Sequence, residues 1–358
     1  MRQSRSEQAY HSGKTNDHVL GTKSFFQKKD QDSDISRNVS NQLRTFVVAQ
    51  ESDTRLDIFL SDRIQTLSRS KISNLIRTGL VTVNRATVKS GYSLRGGDEI
   101  NVVLPTPEPS EIPPENIPIR VLYEDEYFIA VDKAPGMVVH PGAGVFLGTL
   151  TGALRNYTDR LSMVNGPLKP GLVHRLDKDT SGVIIAAKSD ESYWKIARLF
   201  ADREIYKEYR ALVWGTPEPH IGLIDAPIGR SQNNRKKFTV TQSGRNARTR
   251  YEILQDFDIM SFLQVILETG RTHQIRVHFA HVGHPVVGDP IYGGGIKYLL
   301  RHTKAENDLG NRVMTLVQRQ MLHAHRIRFI HPITGVEIEI VAPIPEDFIA
   351  IEKVLSKK

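Results

Sequence analysis

Residues 1–44 show almost no apolar periodicity and are dominated by Ser, Gln, Asn, Asp and Lys, a pattern that predicts a disordered leader. From residue 45 the pattern tightens. Leu56, Phe59, Leu60 and Ile64 recur at helical spacing behind a cap at Ser52 or Asp53, and Ile72, Leu75 and Ile76 repeat the stripe after Ser68, stopping at Gly79. Strand-like LVTVN, a turn at Asn84-Arg85 and EINVVL complete a small body over residues 45–104. Residues 105–118 then place six prolines in fourteen positions, which predicts a semi-rigid extended linker.

A second body is predicted over residues 119–348. IRVLYEDEYFIAVDKAPGMVVHPG reads as two strands about an acidic turn, followed by a turn at Pro135-Gly136. Residues 183–187 are an unbroken apolar run between Gly182 and Lys188, suited to a strand buried on both faces. Ser189-Asp190-Glu191 opens a helix whose stripe of Tyr193, Trp194, Ile196, Ala197, Phe200 and Ala201 faces the core. KEYRALVWG alternates and puts Tyr209, Ala211 and Val213 on one strand face, where an aromatic is ordinarily core. Residues 262–267 form another strand, and residues 270–278 turn into a helix that stops at Gly283. A Gly- and charge-rich surface loop with a helical piece follows over residues 293–318. LHAHRIRFIHP and residues 338–341 close the domain, and residues 349–358 read as a C-terminal tail.

With 358 residues and 39% hydrophobic content, the chain has material for one sizeable domain plus a smaller one. No segment approaches the roughly 18 consecutive apolar residues of a membrane span. The formal charge of +8 favours an anionic partner, nucleic acid ahead of membrane because no basic amphipathic helix stands out. The absence of cysteine excludes disulfides, thiol nucleophiles and thiolate zinc sites, and a cytoplasmic location is the natural reading. No hydrophobic stretch suits a secretory signal, and Glu7 and Asp17 argue against a transit peptide.

The charge is patterned as well as positive. Residues 226–251 hold seven Lys or Arg residues and no acid, with Arg235, Lys236 and Lys237 adjacent, which reads as a surface that tracks a nucleic-acid backbone. Arg69, Lys71 and Arg77 lie off the apolar stripe of the second helix, either as phosphate contacts or as a solvated face. His273, His278, His281, His284, His323, His325 and His331 invite a metal reading, but no HExxH-type spacing and no adjacent carboxylate supports it.

The densest candidate for chemistry is GLVHRLDKDTSG, a polar loop delivered by the buried strand that follows it. Asp177 sits between Arg175 and Lys178, neighbours that favour an ionised carboxylate, the form in which it acts as nucleophile or base. The competing reading is that Asp177 and Asp179 simply offset nearby cations on a solvated loop.

GLVHRLDKDTSG resembles the active-site motif of the ribosomal large-subunit pseudouridine synthases, the RluA/RluD family. With the HPGAG loop it looks closest to the RluD-like subgroup, which modifies the loop of large-subunit helix sixty-nine. The resemblance continues at residues 131–144, Tyr209-Arg210-Ala211 and residues 270–278. RLDIFL, SRSKISNLIRTG and VTVN resemble the RNA-binding S4 domain that often accompanies the family. The resemblance implies an α+β fold, a mixed, largely antiparallel sheet with flanking helices behind a small S4-like domain. It implies isomerisation of uridine to pseudouridine in large-subunit ribosomal RNA, or its assembly precursor, without metal or organic cofactor.

The same resemblance implies roles. Asp177 is the catalytic carboxylate, Arg276 pairs with it, and Tyr209 lies over the uracil and helps remove the proton from the new bonding carbon. Arg175 occupies the space a flipped base vacates, and Lys133, also counted among the RNA-binding residues, buttresses the site with the loop up to His140-Pro141-Gly142; an ordinary surface lysine is the alternative. A monomer is expected. The rival from another class is a non-catalytic RNA-binding or ribosome-assembly factor using the same basic surfaces.

Overall fold

A computed structural model of the chain describes residues 42–49, 53–104, 111–142, 144–232, 234, 237–257, 259–301 and 303–356. The expected leader, apart from its end, and the candidates Arg235 and Lys236 lie outside the described residues. The chain divides into two compact units, residues 1–107 and 108–358.

In the smaller unit, β1 (Gln42–Val47), α1 (Leu56–Arg63), α2 (Arg69–Arg77), β2 (Val81–Val83), β3 (Ala86–Thr87) and β4 (Glu99–Leu104) form two helices and an antiparallel sheet of order β1-β4-β2-β3. Pairing of Gln42 with Leu104 starts this body before residue 45, inside the expected leader. Asp53 does not cap α1, whose N-cap is Arg55 with no side-chain cap, and Ser52 lies outside the described residues. The first amides of α1, Leu56 and Asp57, donate instead to the carbonyls of Tyr92 and Ser90, so a distant loop does the capping. Ser68 caps α2 as its sequence predicts. Asn84 and Arg85 both take positive φ, the geometry of a two-residue turn that matches strand twist. Leu56, Leu60, Ile72, Val81, Ile100 and Val102 fill the core between helices and sheet.

The larger unit runs β5 (Arg120–Glu124), β6 (Phe128–Lys133), α3 (Leu150–Tyr157), β7 (Ser181–Ala187), α4 (Asp190–Asp202) and β8 (Tyr206–Trp214). It continues with β9 (Ile221–Asp225), β10 (Ile228–Arg230), β11 (Phe238–Val240), β12 (Arg248–Asp256), β13 (Met260–Leu267) and α5 (Gln274–His281). After a 3-10 segment at Ile296–Arg301 come α6 (Lys304–Met314), β14 (Leu322–Ile330), β15 (Glu337–Val341) and α7 (Glu346–Leu355). Nine strands among the described residues form one sheet in the order β5-β6-β7-β14-β8-β13-β12-β9, with β15 against β14, and β10 and β11 make a separate hairpin. Among the described residues, every strand pairing in the large sheet is antiparallel except β7 with β14. The fold is therefore α+β with a mixed, largely antiparallel sheet.

That one parallel pair organises the site. Because β7 and β14 start at the same end, the loop leading into β7 and the segment leading into β14 lie side by side, with Ser181 paired to His323 and Gly182 to Ala324. The register then continues across the sheet: Lys133 opposes Gly182, Ala324 opposes Tyr209, and Tyr209 opposes Val265. Apolar cores lie on both sheet faces, so β7 is buried along its whole length, as its unbroken apolar run requires.

Three expectations are corrected. Residues 111–118, read as linker, pack on α3: Ile112 is buried, Arg155 donates to its carbonyl, and the Glu115 amide donates to Gly152 O at 2.9 Å. Residues 349–358, read as a tail, supply most of α7, whose Phe348, Ile351 and Leu355 complete a core cluster. Trp194 faces outward at 64% exposure, because α4 turns Tyr193 and Ile196 toward the sheet.

Gly182 has φ +111, and a Cβ there would stand 2.1 Å from the carbonyl oxygen of Ala324. Gly182→Ala is expected to destabilise the larger unit by roughly 3 kcal/mol or more, from backbone strain plus overpacking against a neighbouring strand. Urea unfolding of the full chain checks this.

Candidate active site

Residues 174–180 form a loop that runs directly into β7 and follows an isolated bridge of Leu172 to Ala186. Its carbonyls are gripped from beneath: Lys133 Nζ donates to Lys178 O at 2.8 Å, and Arg319 Nη1 donates to Asp179 O at 3.1 Å. Gln320 Nε2 reaches Thr180 Oγ1 at 3.3 Å, and Ser181 Oγ meets His323 Nδ1 at 2.9 Å. Lys133 also donates to Ala134 O and Met137 O, which uses all three of its N–H bonds. At 1% exposure it cannot meet RNA, so its assignment as an RNA contact is overturned and the buttress remains. Burial pushes its ammonium down to about 7. His174 stacks on Phe200 and accepts the Ile185 amide on Nε2; burial pushes its pKa to about 3 and keeps the ring neutral.

Asp177 faces α5, which is brought to the loop by the turn after β13. Arg276 Nη1 donates to Asp177 Oδ2 at 2.9 Å across 99 positions of sequence. The same guanidinium is gripped on its other edge, Nε to Asp289 Oδ2 at 2.7 Å and Nη2 to Asp289 Oδ1 at 3.0 Å, and its Cζ lies 5.2 Å from the Tyr292 ring centroid. Burial works against the charge on Arg276, but the hydrogen bonds and charges of Asp289, then of Asp177, outweigh it and raise the pKa further. Arg276 thus stays a fixed cation.

His273 stands at the start of α5 with φ 57, a left-handed residue that turns its ring toward Asp177. Its Nδ1 is 2.8 Å from the Tyr292 hydroxyl, which accepts the Phe238 amide at 3.0 Å. Nε2 is 3.8 Å from Asp177 Oδ1, too far for a hydrogen bond. Burial lowers the His273 pKa, only partly offset by the charge of Asp177, so the ring is neutral.

Tyr209 occupies the row between Ala324 and Val265, with Gly182 one strand beyond Ala324. The residue is half-buried and packs against two of the core clusters. Burial first, and then the negative charge of Asp177, raise the phenol's pKa well above its usual value, so it remains a neutral phenol.

The structure brings Asp177, Arg276 and Tyr209 together, while the basic candidates divide. Arg175 is exposed on the loop beside Asp177. Lys237 Nζ hydrogen-bonds Ile291 O at 2.9 Å, tying the β10–β11 hairpin to the turn that carries Asp289. Arg248 pairs with Asp225 and Glu268, and Arg250 with Glu268, so two cations of the acid-free stretch find their acids on neighbouring strands. In the small unit Arg69 joins Arg55 on buried Asp57, Lys71 is exposed, and Arg77 with Lys89 lines a groove of about 1110 Å³ with Ser70, Ser73 and Asn74. The histidines that invite a metal reading hold protein groups instead: His278 binds Thr249 Oγ1 and Ala226 O, His284 Trp214 O, and His325 Ala342 O.

Asp289, Tyr292, Arg319 and Gln320 are participants that sequence reasoning missed. Gly288-Asp289-Pro290 carries the signature of a turn, and an acid in a turn reads as solvated. Only the fold reveals that its side chain has no exposure.

Comparison with known proteins agrees with this arrangement. Residues 127–281 match the family described as RNA pseudouridylate synthase, and residues 54–100 match the S4 domain. The chain is 41% identical to an uncharacterized RNA pseudouridine synthase of Chlorobaculum parvum, over 85% of this chain and 95% of that one. It is 39% identical to ribosomal large subunit pseudouridine synthase D of Zymomonas mobilis (84% and 93% covered) and 37% identical to that of Escherichia coli (88% and 94% covered). The solved human RNA pseudouridylate synthase domain containing 4 shares the fold at TM-score 0.50 and 21% identity, covering 66% of this chain and 92% of that one. With a carboxylate held on a guanidinium beside a strand tyrosine, and relatives of this identity along nearly their whole length, the chain belongs to the RNA pseudouridine synthase family.

Proposed function

We propose that the protein isomerises specific uridines of large-subunit ribosomal RNA to pseudouridine, with Asp177 as the catalytic carboxylate. The RNA class rests on relatives named for the large ribosomal subunit that match most of the chain. The single observation that carries the catalytic assignment is the Asp177–Arg276 pair, since pure RNA binding has no use for a carboxylate set among cations.

The reaction breaks the bond from the sugar to the ring nitrogen, turns the base, forms a bond from the sugar to the ring carbon, and moves a proton off that carbon while the freed nitrogen gains one. Rotation is impossible within stacked RNA, so the uridine must leave the helix at a cost of about a few kcal/mol. Arg175, exposed at the loop, suits the vacated space because a guanidinium can stack and donate at once. Tyr209 offers its ring to the base. As a neutral phenol it suits stacking better than proton removal, which narrows the part expected of it. Asp177 attacks the base or the sugar carbon, or removes a sugar proton; each route uses the same ionised oxygen. The protein is taken to act in the cytoplasm as a monomer.

Asp177→Asn and Asp177→Ala are expected to keep RNA affinity and abolish pseudouridine formation, read by mapping pseudouridines in large-subunit RNA from cells carrying each variant. Appreciable turnover by either variant, or an unchanged map when the protein is removed, would refute the assignment. Tyr209→Ala should lower kcat/KM by about 5- to 150-fold, the equivalent of roughly 1–3 kcal/mol of lost stacking. Replacing Arg235 and Lys236 with Ala should flatten the dependence of log affinity on log salt by about 0.7 for each phosphate that is no longer neutralised, measured by filter binding.

A further inference from the structure

Arg276 serves two carboxylates, and it serves them unequally. Asp289 takes the side-on edge of the guanidinium with two hydrogen bonds, while Asp177 receives one, from Nη1 to Oδ2. A guanidinium can grip a carboxylate by both oxygens through its side-on edge or through its two terminal nitrogens, and here Asp289 has the side-on fork. With Asp289 on that fork, Asp177 is held through Oδ2 alone, by Nη1, and among the described residues the basic group facing Oδ1 is His273 Nε2, at 3.8 Å.

We propose that Asp289 is a positioning residue: by occupying the forked edge of Arg276 it prevents that edge from chelating Asp177 and leaves Oδ1 free to meet the uridine. This rests on the assignment of Asp177 as the catalytic group. An ionised carboxylate whose two oxygens were both bound to a guanidinium would need to break a charge-assisted hydrogen bond before attacking carbon or accepting a proton. The arrangement observed makes one oxygen an anchor and the other a reagent.

Asp289 is built to stay where it is. Its Oδ1 also accepts the amides of Ile291 and Tyr292, at 2.8 and 3.1 Å. The turn closes on itself, with Gly288 N donating to Gly294 O at 2.7 Å and Gly294 N to Asp289 O at 3.0 Å. A Cβ on Gly288 would lie 2.1 Å from Arg319 O, and one on Gly294 1.8 Å from Val286 O, so the chain approaches closely on both sides of the acid. Arg319, whose carbonyl lies close to Gly288, also donates to the Asp179 carbonyl, so one residue touches both the turn of Asp289 and the loop of Asp177. An acid needed only to neutralise Arg276 would require no such framing.

The test is single-turnover and steady-state kinetics of the full-length protein on a ribosomal RNA fragment. Asp289→Asn keeps the shape and removes the charge. The expected result is a fall in kcat of roughly 100-fold, with KM and RNA affinity within about threefold of the parent, the loss typical of a reacting group misplaced by a fraction of its reach. Asp289→Glu, which restores the charge, should recover at least part of that loss. Combined with Arg276→Lys, the Asn variant should cost little more than Arg276→Lys alone, because both act on the same guanidinium. An Asn variant within threefold of the parent in kcat, equal losses for Asn and Glu, or full additivity with Arg276→Lys would each overturn the proposal.

If the Asp289 variants do not fold, the same question is read from Asp177→Asn by nitrogen-15 NMR of Arg276. Its Nε–H signal should be unchanged from the parent, because Asp289 holds that atom; a large shift would show that Asp177 controls the edge and would overturn the proposal. Inactivity of Asp177→Asn in the same assays keeps the two questions apart. An active Asp177→Asn sinks the catalytic assignment, whereas an inactive one beside a normal Asp289→Asn sinks only this inference.

Discussion

A buried guanidinium between two carboxylates is the interaction on which the rest of this molecule depends. Arg276 is almost fully enclosed, at 3% exposure of its side chain, and a charge placed there is tolerable only if it is neutralised and hydrogen-bonded at close range. Asp289, with no exposed side-chain surface, satisfies most of that demand. Asp177, with 18% exposure, satisfies the remainder while keeping contact with the outside. The burial of Arg276 therefore sets where Asp177, the proposed catalytic carboxylate, can be.

The sheet makes this possible by bringing distant segments to one end. Among the described residues β7 and β14 are the only parallel neighbours in the large sheet, and their common start puts the Asp177 loop beside the segment that holds Arg319 and Gln320. Antiparallel β8 carries Tyr209 into the same row, and β13 delivers the turn that begins α5. Lys133 and Arg319, two buried cations, bind successive carbonyls of the loop, so a segment too polar to pack by apolar contact is held by its backbone. The loop's backbone is thus preorganised by cations directed at its carbonyls, while Arg175 and Lys178 stay exposed.

Much of this was legible in the chain. Alternation and apolar runs gave β7, β8 and β13 because those strands lie in the middle of the sheet, where burial is one-sided or complete and the pattern is strong. The motif around Asp177 and the sequence around Arg276 could be matched to a known family, which residue chemistry alone could not do for Arg276 over Arg271. What the sequence concealed shares one cause: burial of polar groups. Asp289 looked like a solvated turn acid and Arg248 like a free cation in an acid-free stretch. Each is explained by a partner from elsewhere in the fold. The tail that is really α7 escaped notice because its apolar residues fill a cavity made by β8, β13 and α6, and the second half of the linker escaped because prolines hide the burial of Ile112.

The most direct test of the account is a structure of the full-length protein bound to a ribosomal RNA fragment containing its target uridine. The account predicts a uridine turned out of the RNA, its base against the ring of Tyr209, with Oδ1 of Asp177 as the carboxylate oxygen facing it and Oδ2 still on Arg276. A target uridine that remains stacked in the RNA, or one seated beyond contact with both Asp177 and Tyr209, would contradict it.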